Sequence, residues 1–199
     1  MTVKAFDTDR RTNGQLIADC FELGYLRDED RILDPTYGLG RWWSEVAPPH
    51  LTAHDLDPEK APHGPMDFTA LHYEDQTFDA VTYDPPYKLN GTPTASVDAQ
   101  YGVHEPRTVN QRLTLMTDGL KECIRVVRTG GLVLAKAQDQ VVSGKVVWQT
   151  HLLAETAAQA GCRLVDQLHV SSYRAQPPGR RQQHAAHNYS TLLVLKRLP

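Results

Sequence analysis

The segment Asp84-Pro85-Pro86-Tyr87 combines residue types that can hold and orient a polar reactant. It closes the apolar run 78–84, which has the composition of a buried strand. A carboxylate accepts hydrogen bonds, and an aromatic ring offers a flat face for stacking. Proline fixes its own backbone and cannot donate, so two prolines in succession end a strand abruptly. We therefore expect a rigid polar site at the end of this strand.

A second candidate site lies in "LDPTYGLGRWW", residues 33–43. Asp34, Gly38 and Gly40 stand where a first strand would turn into a helix. Glycine lets the backbone bend tightly there and approach a ligand, although such a pair can also serve packing alone. Because Trp43 stands three residues after Gly40, the turn does not match the dinucleotide pattern G-x-G-x-x-G, which disfavours a hydride-transfer enzyme.

Acidic residues follow the next predicted strand. Asp55 and Asp57 lie about twenty residues beyond the glycines, a spacing at which nucleotide-binding sheets use an acid to bind ribose hydroxyls. The spacing of "DLD" predicts that both carboxylates lie on the same side of a strand, so either could serve. A helix cap or a surface acid is the alternative interpretation.

These sites require elements that bring strand ends together. Apolar runs alternate with helical stretches, which is typical of β-α-β units in a doubly wound α/β fold. Strands are predicted at 31–37, 51–57, 78–84, 131–138, 163–170 and 191–197, with a short seventh strand near 66–71. Helices are predicted at 13–26, 40–47, 106–128 and 147–160.

The bulk composition predicts one soluble, cytoplasmic domain over residues 1–199 with no membrane segment. The net charge is −3, and no apolar run reaches the roughly 20 residues that cross a bilayer. Three separated cysteines, Cys20, Cys123 and Cys162, are expected to be reduced and structural. No Cys/His pattern has the spacing of metal ligands, so no metal site is predicted.

Long polar segments at 88–105 and 173–189 are candidate functional loops, since ordinary connections are only a few residues long. The second carries several arginines and no acid, which suits phosphates and base edges, although a solvated loop is the alternative. Substrate contacts are expected from Lys88, Tyr101, Lys136, Gln138, Arg174, Arg180 and Arg181.

In this order, Asp34 with its glycine turn, Asp55, Asp67-Phe68 and "DPPY" resemble the S-adenosylmethionine-dependent methyltransferases that modify exocyclic amines of nucleic-acid bases. The closing "HNYSTLLVLKR" resembles the last strand of small bacterial and phage DNA methyltransferases. The resemblance implies a Rossmann-like class I methyltransferase fold of about seven strands, mostly parallel, with an antiparallel C-terminal strand. It also implies S-adenosylmethionine as the cofactor.

The same resemblance implies roles for individual residues. The catalytic motif corresponds to Asp84, Pro85, Pro86 and Tyr87. The first turn would line the methionine part of the cofactor, Asp55 its ribose, and Asp67 with Phe68 its adenine. The full cofactor set is Asp34, Pro35, Thr36, Gly38, Gly40, Asp55, Leu56, Asp67 and Phe68. Trp42 and Trp43 are expected either to pack in the core or to close over the cofactor.

Amine methylation gives "DPPY" a physical task. The lone pair of a base amine is delocalised into the ring, so the amine is a poor nucleophile. Hydrogen bonds from the amine to the Asp84 carboxylate and the Pro85 carbonyl would release that lone pair, and the prolines would hold both acceptors in place. Tyr87 could stack on the base, which a duplex would have to flip out.

Adenine in DNA is the first expected substrate and cytosine the second, with an RNA base as the alternative. No stretch is long enough for a separate target-recognition domain, so specificity would come from the two loops, a homodimer or an accessory recognition subunit. A catalytically silent nucleic-acid-binding subunit is a further hypothesis, which intact Asp84 and Tyr87 disfavour. Protein methyltransferases that act on glutamine usually carry Asn in place of Asp84.

Overall fold

The computed structural model describes residues 12–89, 108–171, 184 and 187–199. Within these residues, helices cover both faces of a six-stranded sheet. The helices are α1 (Asn13–Glu22), α2 (Val109–Val126) and α3 (Gln149–Gln159). The strands are β1 (Ile32–Asp34), β2 (Leu51–Ala53), β3 (Phe78–Tyr83), β4 (Val127–Ala137), β5 (Gln140–Val142), β6 (Lys145–Val147), β7 (Cys162–Ser171) and β8 (Tyr189–Arg197).

The sheet has the strand order β2-β1-β3-β4-β8-β7. The pairs β1–β2, β1–β3 and β3–β4 are parallel, whereas β8 runs antiparallel to both β4 and β7. The predicted Rossmann-like architecture, mostly parallel with an antiparallel C-terminal strand, is therefore confirmed. The chain leaves β1 toward β2 on one side and returns to β3 on the other. That reversal makes the carboxyl ends of β1 and β3 the topological switch point, where such sheets bind ligands.

Alternation along the strands builds the core on both faces of the sheet. Leu33, Val81 and Val133 pack with α2 and α3 on one face. Ile32 and Leu134 pack with α1 on the other. These side chains are inaccessible to solvent, and each contributes roughly 1.5–3 kcal/mol through burial. The sheet is thus held rigidly enough to fix what projects from its ends.

Strands β1 and β2 end earlier than predicted. Near the end of each strand, an aspartate side chain accepts a hydrogen bond from a backbone amide and turns the chain. Asp34 Oδ1 accepts from the amide of Thr36 at 3.0 Å, and Asp55 Oδ1 accepts from the amide of Asp57 at 2.9 Å. Both are turns in which an aspartate bonds the backbone two residues on. The carboxylates predicted to bind ligand therefore also shape the loops that carry them.

Two predicted elements are absent from the described residues. The predicted strand near 66–71 is wrong, because the Asp67 carboxylate turns the chain by accepting from the amide and the hydroxyl of Thr69. The predicted helix 40–47 reduces to one 3-10 turn at Arg41–Trp43. The hairpin of β5 and β6 was not predicted.

The predicted loops fall largely outside the described residues, which omit 90–107, 172–183 and 185–186. Tyr101, Arg174, Arg180 and Arg181 belong to these omitted stretches, so their roles stay predictions. In the part of the chain described, no helix combines the length and apolar character that crossing a bilayer requires.

Candidate active site

The carboxyl ends of β1, β3 and β4 lie side by side and carry the predicted polar residues. Leu33 pairs with Val81 across β1 and β3, and Tyr83 pairs with Ala135 across β3 and β4. Asp34 and Asp84 therefore emerge next to each other at the switch point between β1 and β3. Residues that are 50 positions apart in sequence are brought to one edge of the sheet, which we call the catalytic edge.

Asp84 is hydrogen-bonded at one carboxylate oxygen, and the other lacks a partner among the described residues. Its Oδ2 accepts from the indole Nε1 of Trp42 at 2.8 Å and lies 3.6 Å from Nζ of Lys136. Its Oδ1 is buried and has no hydrogen-bond partner among the described residues. A buried acceptor without a partner is costly in a folded protein. The arrangement therefore fits a group that binds an incoming donor.

Asp34 is the second carboxylate of the site and is only 3% exposed. Its Oδ2 accepts from the indole Nε1 of Trp43 at 2.7 Å, and its Oδ1 accepts from Thr36. The pKa of Asp34 is raised to about 7, chiefly by burial and to a smaller extent by the nearby charge of Asp84. The hydrogen bonds from Trp43 and Thr36 oppose that increase. A small change in surroundings near neutral pH can therefore ionise this group.

Trp42 and Trp43 bind different carboxylates, although they are neighbours in sequence. The 3-10 turn after Gly40 sends the indole of Trp42 to Asp84 and that of Trp43 to Asp34. Trp42 is 5% exposed, so the predicted core packing is correct for this residue. The donor role was missed by sequence reasoning. The only signal of this donor role in the sequence is the tryptophan itself, because a buried indole N–H requires an acceptor.

Thr36 joins the two carboxylate loops. Its hydroxyl oxygen accepts from the amide of Asp84 at 2.9 Å and donates to Asp34 Oδ1 at 3.3 Å. Pro35 is buried beside it. The glycine turn and the "DPPY" segment are thereby locked to each other, which preorganises the site.

The glycines of the turn adopt backbone conformations that other residues rarely take. Gly38 has φ 57° and Gly40 has φ 66°. The amide of Gly38 donates to Asp55 Oδ2 at 2.9 Å, so the turns after β1 and β2 are tied together. Leu39 and Leu56 lie in these turns and are 56% and 53% exposed, which places apolar surface beside the polar groups.

The argument that Asp57 is equivalent to Asp55 is wrong. Strand β2 ends at Ala53, so Asp55 and Asp57 do not share the side of a strand. The Asp57 carboxylate accepts from the amide of Glu59 and pairs with Lys60 at 2.7 Å. It caps the 3-10 turn Pro58–Lys60, whereas Asp55 faces the glycine turn.

Asp67 and Phe68 lie on the segment between β2 and β3. Asp67 is exposed, and one of its oxygens closes the turn with Thr69. The Phe68 ring is half-buried and meets Tyr83 edge-on, with ring centres 5.6 Å apart. A Cβ on Gly119 would clash with the Phe68 ring. The ring therefore packs closely against α2, and its adenine contact stays a prediction.

Lys136 is buried behind Asp84 rather than exposed at the edge. It is 3% exposed, and its Nζ donates to Asn13 Oδ1 at 2.7 Å. The same ammonium lies 5.5 Å from the centre of the Tyr87 ring and 6.0 Å from that of Trp42. Instead of the predicted substrate contact, the structure shows a cation that compensates the charge of Asp84 and contacts the aromatic walls.

The segment after "DPPY" is clamped by side chains that the sequence did not single out. Gln140 donates to the carbonyl of Tyr87 at 2.7 Å and accepts from the amide of Leu89 at 3.1 Å. Arg112 donates to the carbonyl of Lys88 at 2.9 Å. These contacts fix the backbone that carries Tyr87, whose ring is half-buried, while the Lys88 side chain is exposed.

Gln138 is buried, and its amide nitrogen donates to the carbonyl of His187 at 2.9 Å. This bond ties the end of β4 to the residues that precede β8. Pro85 is buried and Pro86 half-buried, as a rigid strand end requires. Among the residues described, no three His, Cys, Asp or Glu side chains are grouped as metal ligands would be.

No protein-family model matches the sequence, and the comparison with curated proteins also finds no match. Solved structures share its fold at low identity. MccD protein matches with a TM-score of 0.60 at 11% identity, covering 94% of this chain and 100% of that one. The 1,6-didemethyltoxoflavin-N1-methyltransferase of Burkholderia thailandensis, solved with S-adenosylhomocysteine, matches with a TM-score of 0.57 at 15% identity, covering 96% and 80%.

TrmN from Thermus thermophilus matches with a TM-score of 0.56 at 18% identity over 92% of this chain. This chain spans about half of some matched proteins, namely 48% of TrmN and 48% of a proposed DNA modification methylase from Thermus thermophilus. The [4+2]-cyclase SpnF shares the fold as well, with a TM-score of 0.57. These likenesses establish a methyltransferase-type Rossmann-like fold, and the activity has to be argued from the site.

Proposed function

We propose that the protein is an S-adenosylmethionine-dependent methyltransferase that acts on the exocyclic amine of a DNA base, with adenine ahead of cytosine. One observation carries the proposal: Asp84 Oδ1 is a buried acceptor without a partner among the described residues, while Oδ2 of the same carboxylate is fixed by Trp42. The 1,6-didemethyltoxoflavin-N1-methyltransferase, a solved structure of the same fold, supports the reaction class.

The residues around the switch point fit the cofactor. Gly38 and Gly40 present backbone at positive φ and carry no side chain of their own, and Asp55 faces this turn. Asp34 and Asp84 offer negative charge for a ligand that carries a sulfonium and an ammonium group. When bound, S-adenosylmethionine supplies a methyl group activated by a charged sulfur. Asp34, Gly38, Gly40 and Asp55 would hold it, with Leu56 and Phe68 as apolar contacts.

Asp84 would activate the amine by accepting a hydrogen bond at Oδ1 from one of its two N–H groups. The lone pair of the nitrogen then withdraws from the ring and becomes available for attack. Trp42 fixes the carboxylate orientation through Oδ2, so no reorganisation of Asp84 is required during the reaction. The Pro85 carbonyl, held in a buried and rigid segment, is the proposed acceptor for the second hydrogen.

Lys136 and Tyr87 support this task in different ways. The ammonium of Lys136 neutralises charge on Asp84 from the buried side, 3.6 Å from Oδ2. Gln140 holds the backbone of Tyr87, and thereby the point from which its ring projects. Stacking of a base on such a ring contributes roughly 1–3 kcal/mol. A base in a duplex has to be flipped out to reach it.

Transfer of labelled methyl from S-adenosylmethionine to DNA and to RNA of matched sequence tests the proposal. Digestion to nucleosides and mass spectrometry then identify the modified base. We expect N-methylated deoxyadenosine, and about a thousandfold slower formation of it with Asp84→Asn. Exclusive labelling of RNA would move the substrate class to RNA. Cofactor binding with no transfer to either polymer would contradict the proposal.

A further inference from the structure

Four exposed or half-buried rings form a continuous strip on the surface near β8. The members of this aromatic strip are Trp148, His169, His187 and Tyr189. The ring centres of Trp148 and His187 are 5.4 Å apart, those of His187 and Tyr189 are 6.1 Å apart, and those of Tyr189 and His169 are 5.2 Å apart. Trp148 is nevertheless 54% exposed, and Tyr189 37%. The rings hold one another in place while leaving surface accessible.

The strip lies at the catalytic edge. Because β8 is antiparallel to its neighbours, its first residues meet the carboxyl ends of β4 and β7: Ala137 pairs with Thr191, and Ser171 pairs with Tyr189. The hydrogen bond from Gln138 to the carbonyl of His187 ties the strip to the end of β4. Strand β8 is two strands away from β3, which is about 10 Å at the usual strand spacing.

Charge along the chain favours a nucleic-acid ligand for this strip. The sequence that connects β7 to β8 contains Arg174, Arg180 and Arg181 and has no acidic residue from 172 to 188. Glu155, the acid nearest to Trp148 in sequence, lies 3.3 Å from Nε2 of His151. Asp139, on the other side, is buried, and its carboxylate is bound to the amide and hydroxyl of Thr150. Proteins that bind unpaired bases combine exposed aromatic rings with cationic residues.

We propose that the aromatic strip receives an unpaired base next to the target nucleotide, with Trp148 as its main stacking partner. This inference rests on the proposed function, because it assumes that the target base enters at Asp84. The strip would keep the neighbouring nucleotide unstacked from the target and so support base flipping. The inference gives the residues of the aromatic strip a role in binding DNA, and none of them belongs to the proposed cofactor or catalytic residues.

Binding of a fluorescein-labelled single-stranded 12-mer of DNA, followed by anisotropy with S-adenosylhomocysteine present, tests the strip. We expect Trp148→Ala to weaken binding roughly 5- to 150-fold, as loss of one base stack requires. Trp148→Phe should keep most of the affinity. Val165→Ala, at an exposed apolar position of β7 away from the catalytic edge, is the matched control and should bind like the wild type.

Combining Trp148→Ala with an abasic site in the DNA, as in a double-mutant cycle, tests whether Trp148 contacts a base. An abasic site beside the target nucleotide should weaken the wild type by about the same factor and Trp148→Ala hardly further. If the wild type and Trp148→Ala bind the 12-mer equally well and the protein still methylates DNA, the role of the strip is wrong but the proposed function stands. Failure of the wild type to bind any oligonucleotide would instead remove the proposed substrate class. A dimer that Trp148→Ala dissociates would assign the strip to a second copy and also overturn the inference.

Discussion

The indole N–H of Trp42 donates to Oδ2 of Asp84 over 2.8 Å, while Oδ1 of the same carboxylate is buried without a partner in the described residues. The neighbouring Trp43 makes the equivalent bond to Asp34 at 2.7 Å. One short turn therefore orients both carboxylates of the site. The pair allows the proposed catalytic and cofactor roles to be separated by matched substitutions.

Trp42→Phe should lower kcat, because Asp84 loses the donor that fixes Oδ2. Hydrogen bonds to charged groups contribute about 1.5–3 kcal/mol, which corresponds to a roughly 10- to 150-fold decrease. Trp43→Phe is the matched control, since it releases Asp34 instead and should weaken cofactor binding first. Steady-state kinetics and calorimetric titration with S-adenosylhomocysteine measure the two effects. Equal effects of both substitutions on both quantities would count against this division of roles.

The pKa of Asp34 predicts a pH dependence of stability. The unfolded chain loses this proton near the ordinary value of 3.8, whereas the folded chain keeps it up to about 7. Between these values the folded state binds more protons, so the free energy of unfolding falls as pH rises, by at most about 1.4 kcal/mol per pH unit. Urea unfolding of the wild type and of Asp34→Asn at pH 5 and pH 7 checks this. Asp34→Asn should remove that part of the slope, and identical slopes would contradict it.

Cofactor affinity should also depend on the ionisation of Asp34, but it should rise with pH, whereas the free energy of unfolding falls. A bound cation favours the ionised form of Asp34, so binding should strengthen from pH 6 to pH 8 and should release protons at pH 6. Calorimetry in buffers with different ionisation enthalpies measures the proton release. Affinity that does not change with pH, in a protein that still binds the cofactor, would place the cofactor away from Asp34.

Lys136→Met should reduce transfer by about tenfold or more, since Asp84 then keeps a partly buried charge with no cation beside it. Lys136→Arg keeps the charge and is the control, and it should restore much of the activity. Measuring kcat for both variants, with thermal melting to confirm that they fold, shows whether the charge of Lys136 supports catalysis. Equal activity of the Met and Arg variants would show that the charge of Lys136 has no part in catalysis.

Gly40→Ala should impair both folding and cofactor binding. The φ of Gly40 is 66°, and an added Cβ would lie 2.6 Å from the Tyr37 hydroxyl oxygen. Gly24→Ala is the control, because φ is 76° there but nothing lies within 4 Å of the added Cβ. Each substitution should cost roughly 1–2 kcal/mol of backbone strain, and Gly40→Ala alone should also lose cofactor. Unchanged cofactor affinity in Gly40→Ala would mean that the turn does not face the cofactor.

Local sequence signals predicted most of the sheet and placed Asp84 at the end of its strand, because strand patterns and turn residues act over a few positions. The failures concern side chains whose effect depends on distant partners. Trp42 reaches Asp84, and Gln140 clamps Tyr87, through contacts that only the folded sheet creates. Asp57 was misjudged because the Asp55 side chain, rather than a strand, sets the local backbone.

The most direct test of the central claim is single-turnover methyl transfer by Asp84→Asn. The amide oxygen would face the donors Trp42 and Lys136, which puts the amide nitrogen, a donor, where the open acceptor Oδ1 stands. We expect transfer to fall by about a thousandfold, as for loss of a preorganised catalytic hydrogen-bonding group, with cofactor affinity within about twofold of the wild type. Transfer at the wild-type rate by a folded, cofactor-binding Asp84→Asn protein would contradict the account.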